Sequence, residues 1–167
     1  MKLTFRSVFL AAAALYFVLL LAVPAYLVIQ HYYVLKTGRI FKFAVEPYDP
    51  YDPFRGRYVA IRVPSLQNAG NGLYSLLAED NEGYAYIVSS QDKLPSVPES
   101  PDPKIPYVKN LKISRYYLNE SAAPRVELLQ RDLSETQTMH IQVAVKNGSY
   151  VIEGMYIDGI PVEEYVK

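Results

Sequence analysis

Cysteine and tryptophan are absent from the chain. Without cysteine there can be no disulfide, thiol nucleophile, cysteine-held zinc or iron–sulfur cluster, and the redox compartment is left open. Histidine occurs only twice, at His31 and His140. Two such distant positions do not suggest a metal centre, because these want three or four convergent ligands. Net charge is also missing, since 17 basic residues balance 17 acidic ones. That removes the electrostatic case for a nucleic-acid partner. No serine lies between Ser7 and Ser65, where Thr37 offers the one hydroxyl of that kind. No internal repeat is visible, and nothing implies a cofactor.

What the chain does contain is a run of 23 residues, Ser7 to Ile29, without a charged side chain. As a helix it would reach about 34 Å, enough to cross a hydrocarbon core of about 30 Å. A cleavable signal peptide competes for the same residues, with Lys2 and Arg6 as its basic end and Val23 and Ala25 flanking a cleavage point. The apolar run continues through Tyr26, Leu27, Val28 and Ile29, which favours an uncleaved signal anchor. Pro24 falls late in the segment and would free a carbonyl four residues back. Tyr26, Tyr32 and Tyr33 stand where an aromatic belt meets headgroups. The expected division is a cytoplasmic stub over residues 1–6, a transmembrane helix over 7–29, a juxtamembrane connector over 30–39 and a domain over 40–167. Basic residues flank both ends of the run, so charge does not orient it. The short stub before a folded domain suggests a single-pass protein of the cell membrane with its C-terminal domain outside the cytoplasm.

The remaining residues suffice for one domain. With 16 tyrosines and 12 prolines, the composition favours strands joined by ordered loops. The expected fold is a mainly-β (α+β) domain of antiparallel strands with one short helix. Alternation marks strands at Ile40–Val45 and Tyr58–Val63, the latter with Val59, Ile61 and Val63 on one face and Tyr58, Ala60 and Arg62 on the other. Leu73–Ala78 and Tyr84–Val88 flank a turn of Glu79 to Gly83 and read as a hairpin. Strands are also expected at Tyr107–Ile113 and around Tyr116 and Tyr117. Met139–Val145 and Tyr150–Ile157 flank Asn147-Gly148, a type I′ turn sequence. Pro124–Leu133 places Val126, Leu129 and Leu133 on one helical face. Leu94–Pro106, rich in proline and serine, reads as a long surface loop.

The densest local pattern runs from Glu46 to Ile61, where two Asp-Pro steps lead through Phe54-Arg55 to Gly56-Arg57-Tyr58 and a strand. With Ile61 and Val63 beyond it, this stretch resembles the pattern of the GDYXXLXY family of membrane-anchored bacterial proteins. Ile113 to Glu120, which contains Arg115-Tyr116-Tyr117, is similar to a second family segment. The Val143–Gly148 hairpin is alike too. Arg57 stands where the family name has Asp, and Val63 where it ends in Tyr, so an acid-dependent chemistry at that point is not available here. The resemblance implies an anchored domain with no established reaction, often encoded beside multi-pass membrane proteins, and such a protein is the expected partner.

From these segments the candidate binding residues are Asp52, Arg55, Gly56, Arg57, Tyr58, Arg115, Tyr116 and Glu120. Guanidinium forks at Arg55, Arg57 and Arg115 can grip a carboxylate or phosphate, although bonding to strand-end carbonyls or to Asp49 and Asp52 is the more economical reading. Glu79, Asp80 and Glu82 lack calcium-loop spacing and read as a solvated turn. The tyrosine excess reads as half-buried sheet surface rather than a glycan platform. No catalytic residue and no metal ligand is expected. The favoured function is a noncatalytic module that binds a membrane partner protein or envelope component, with lipid held by residues 7–29. The alternative is a membrane-bound hydrolase of the signal-peptidase kind, which would require a Ser or Thr hydroxyl within reach of a buried lysine in a concave site.

Overall fold

The computed structural model describes residues 5–47, 58–67, 72–93, 106–119, 122–132 and 137–165. One helix precedes everything else: α1, Phe5–Thr37, 33 residues with Pro24 inside it. Ala12–Thr37 is long and apolar enough to cross a membrane, and none of its most apolar stretch is buried in the protein. The helix extends through residues 30–37, where the sequence suggested a connector, because Tyr32, Tyr33, Val34 and Leu35 prolong the apolar pattern without a breaker. Gly38 alone separates α1 from the first strand.

The strands are β1 (Arg39–Ala44), β2 (Glu46–Pro47), β3 (Tyr58–Arg62), β4 (Tyr74–Glu79), β5 (Ala85–Gln91), β6 (Tyr107–Lys109), β7 (Arg115–Tyr117), β8 (Met139–Lys146), β9 (Ser149–Ile157) and β10 (Ile160–Pro161). Short helices lie at α2 (Pro64–Gln67), α3 (Ala123–Asp132) and α4 (Val162–Tyr165). Among the described residues the strands form three antiparallel sheets, ordered β1-β8-β9-β10, β2-β3-β7 and β5-β4-β6. Isolated bridges from Lys42 to Tyr84 and from Val108 to Gly148 stitch the third sheet to the first.

The β8–β9 hairpin is the spine of the domain. Its turn residues have φ of 49° at Asn147 and 80° at Gly148, the pair of positive values a type I′ turn needs. Alternation along β1 and β8 sends Phe41, Phe43, Ile141 and Val143 to one side, where Met155, Ile157, Val59, Val126 and Val162 close the core. Fully burying a side chain of this size contributes about 1.5–3 kcal/mol.

Local chemistry explains the elements around the spine. Asp80 Oδ1 accepts the backbone N–H groups of Glu82 and Tyr84 at 2.9 and 2.8 Å, and Gly83 has φ of 84°. Those bonds give the acid a turn-forming role. Asn119 Oδ1 accepts from Ala122 N at 2.7 Å ahead of α3, and Pro124 falls in its first turn.

The fold has the expected mainly-β (α+β) class with antiparallel strands and differs in four local details. The single expected helix has two one-turn companions, α2 and α4, which begin at Pro64 and just after Pro161. The strand expected over Tyr107–Ile113 stops at Lys109, because Asn110 takes φ of 51°. Ala60, expected on an outer face, is buried; it sits opposite Arg115 in the register. The helix at Pro124–Leu133 begins one residue earlier, at Ala123. The Asp-Pro turns, Gly56 and residues 94–105 of the long loop lie outside the described residues.

Candidate functional site

Three of the eight candidate binding residues are described: Tyr58, Arg115 and Tyr116. Asp52, Arg55, Gly56, Arg57 and Glu120 lie outside the described residues. β3 and β7 bring the three together because Tyr58 pairs with Tyr117, Val59 with Tyr116 and Ala60 with Arg115. Strand alternation then divides them. Tyr58, Arg115 and Tyr117 share one face, with the Arg115 guanidinium 4.9 Å from the Tyr58 ring centre and the Tyr58 and Tyr117 rings edge to face at 5.7 Å. Such a cation on an aromatic face is held in place while its donor edges remain directed outward. Arg115 and Tyr117 are both exposed, Tyr117 by 67%.

Tyr116 goes the other way. Its hydroxyl donates to Glu163 Oε1 at 2.7 Å, joining β7 to α4. Burial, and then the neighbouring Glu163 carboxylate, push this phenol above its ordinary range. It serves as a fixed neutral donor within the domain, so it does not belong with Tyr58 and Arg115 as a surface group. Glu163 was not singled out from the sequence, since a pairing across 47 positions leaves no local pattern.

The hydroxyl and amine sought for a hydrolytic dyad do meet. Lys146 Nζ donates to Thr37 Oγ1 at 2.6 Å and to Tyr33 Oη at 3.0 Å. Their arrangement argues against nucleophile activation. Thr37 Oγ1 donates its proton to Tyr33 O at 2.7 Å and is the acceptor toward lysine, and the pair is exposed instead of sunk in a concave site. A base must take the hydroxyl proton, and here that proton is committed to a helix carbonyl. The lysine instead supports the C-terminal end of α1, where a cation complements the helix dipole. Ser65 Oγ is buried with no hydrogen-bond partner among the described residues, so no described lysine amine bonds to it.

His31 and His140 lie apart. The Nδ1 of His31 is 2.7 Å from Leu27 O within α1, whereas His140 is buried in β8. Among the described residues no group of three or more acidic, histidine or cysteine side chains could hold a metal. An open cleft of about 450 Å³ separates β3 and α2 from the extended segment after β6; its walls include Ile61, Val63 and Leu66, with Arg62, Lys112 and Ser114 adding polar edges. Chemically it suits an apolar group that carries negative charge.

A long apolar helix that runs into an antiparallel β-rich body, with a tyrosine–arginine patch on an outer strand pair, defines a helix-led β module. The family model for the GDYXXLXY protein matches residues 20–155, most of the chain, and the chain belongs to that family. No curated protein and no solved structure matches it.

Proposed function

We propose that the chain is a noncatalytic, membrane-anchored module: a stub over residues 1–6, a span over 7–29 and a β-rich domain held outside the cytoplasm. The observation that carries this reading is α1 itself. From Phe9 to Tyr33 its described side chains are exposed around the whole circumference, which in water would be untenable and in lipid is ordinary. Such a surface is satisfied by acyl chains or by the helices of a multi-pass membrane protein.

The domain is the part that selects the partner. The Tyr58–Arg115–Tyr117 patch offers a guanidinium held over the Tyr58 ring, with Tyr117 packed edge-on against that ring, a combination suited to a carboxylate on a protein or envelope component. Asp52, Arg55, Gly56, Arg57 and Glu120 are proposed to extend the same surface. A photo-crosslinker at Tyr117 in intact membranes should yield an adduct with a multi-pass protein that Arg115→Asp abolishes, while protease added outside the cell removes the domain. Adducts unchanged by Arg115→Asp, or a domain shielded from protease, would refute the assignment. Thr37→Val addresses the hydrolase alternative: a processing defect caused by this substitution would revive it.

A further inference from the structure

Three segments converge where α1 enters the domain. The end of the helix (residues 30–39), the segment over residues 106–113 and the hairpin tip (144–152) together hold Lys36, Arg39, Lys109, Lys112 and Lys146 and not one acidic residue. The convergence is physical: Lys146 reaches Tyr33 and Thr37, Lys109 N donates to Gly148 O at 2.8 Å, and the Lys112 carbonyl accepts from Tyr150 Oη at 3.2 Å. Of these cations, Arg39 is matched by Glu79 at 2.9 Å.

The depth of this cluster follows from the helix. If the uncharged run ending at Ile29 fills the hydrocarbon core, Tyr33 lies about 6 Å farther on and Thr37 about 12 Å. The headgroup layer on each side is about 5–8 Å thick. Helical side chains also lean toward the helix N-terminus, here toward the membrane. Lys146, bonded to Tyr33 Oη and 4.1 Å from the centre of its ring, therefore sits at headgroup level. It uses two of its three donors on the helix, and Lys36 and Lys109, on the two adjoining segments, have exposed side chains.

We propose that the tip of the β8–β9 hairpin, with Lys36, Lys109 and Lys146, is a binding surface for the phosphates of anionic lipid headgroups, seating the domain directly on the bilayer. The inference rests on α1 being a membrane span. Its chemistry is distinct from the Tyr58–Arg115 patch, which presents a planar guanidinium fork over the Tyr58 ring, whereas the lysines present compact ammonium charges to lipid phosphate.

The cysteine-free chain allows a direct test with the full-length protein in vesicles of phosphatidylcholine and phosphatidylglycerol. Single variants Leu19→Cys, Ser149→Cys and Ile160→Cys carry a fluorophore, and quenchers are placed on acyl chains, on headgroups or in water. Quenching of the Leu19 site from the acyl chains establishes the span; its failure would remove the basis of the proposal. Given that result, the Ser149 site should be quenched from the headgroups and the Ile160 site, at the other end of the hairpin, from water alone. Access of the Ser149 site only from water would overturn the seating. Omitting phosphatidylglycerol, or introducing Lys109→Glu or the milder Lys109→Gln, should lose much of the headgroup quenching at Ser149. Quenching indifferent to all three would mean that the helix junction alone sets the distance, and would overturn lipid binding.

Discussion

The imidazole of His140 stacks on the ring of Tyr156, their centres 5.4 Å apart and their planes within 11° of parallel. Tyr84 meets the same imidazole edge-on at 6.3 Å. Both ring nitrogens are buried without a hydrogen-bond partner among the described residues, so the group is held by ring contacts alone. Burial, reinforced by the positive charge of Lys42, keeps its pKa below the ordinary histidine value.

The sign of the pH effect follows. Above the unfolded value of about 6.5 both states carry a neutral ring and nothing changes. As pH falls through that value the unfolded chain takes up a proton that the folded domain refuses, so stability declines until the lower folded pKa is passed. His140→Phe should remove this acid loss and raise the melting temperature more at pH 5 than at pH 8. Equal gains at both values would contradict it.

Gly38→Ala should destabilise the junction between α1 and β1 by about 1–3 kcal/mol. A Cβ there would lie 2.5 Å from Val34 O and 3.0 and 3.1 Å from the backbone N and O of Val145. Because the obstructing atoms are backbone, relief requires moving the helix or β8. Thermal melting of the full chain in detergent measures the loss.

Two glycines separate backbone strain from collision. Gly148 and Gly159 have φ of 80° and 82°, but a Cβ at Gly148 would meet Tyr107 Cε2 at 2.7 Å, whereas at Gly159 nothing lies within 4 Å. Gly159→Ala should cost about 1 kcal/mol for conformation alone. Gly148→Ala should cost more, since Tyr107 must also give way. Denaturant midpoints of the two variants decide the order.

Tyr116→Phe should cost about 1–2 kcal/mol by leaving Glu163 without its donor. The wild-type phenol also resists ionisation in the folded state. Stability is therefore lost as pH rises past about 10, where the unfolded chain's tyrosine ionises first. Tyr116→Phe should lose less stability over that alkaline range, and Glu163→Gln in the same background gives the coupling through a double-mutant cycle.

Periodicity and turn chemistry made the fold readable where each acts locally. The apolar run, the Asn147-Gly148 turn and the Asp80 turn all announce themselves within a few residues, and the helix near Pro124 differs by one residue at its start. What was not readable depends on distant partners. Ala60 meets Arg115 only through the β3–β7 register, and Tyr116, on the other face of β7 from Arg115, finds Glu163 across 47 positions. Thr37 is visible in the sequence as the one hydroxyl of its kind between Ser7 and Ser65, but only the course of β8 shows which lysine reaches it, and that its proton already belongs to the helix. Nothing in composition distinguishes His140, a buried ring among tyrosines, from a solvated strand histidine.

With Gly38 as the sole residue between Thr37 and Arg39, and Val34 buried against the strands, the helix and the β body behave as one lever. Rotation of the helix about its axis swings the Tyr58–Arg115 patch around the same axis by the same angle. If α1 spans the bilayer as proposed, the neighbour in the membrane plane that the patch faces is decided by how the helix is turned, and a companion helix gripping α1 would steer the domain without touching it.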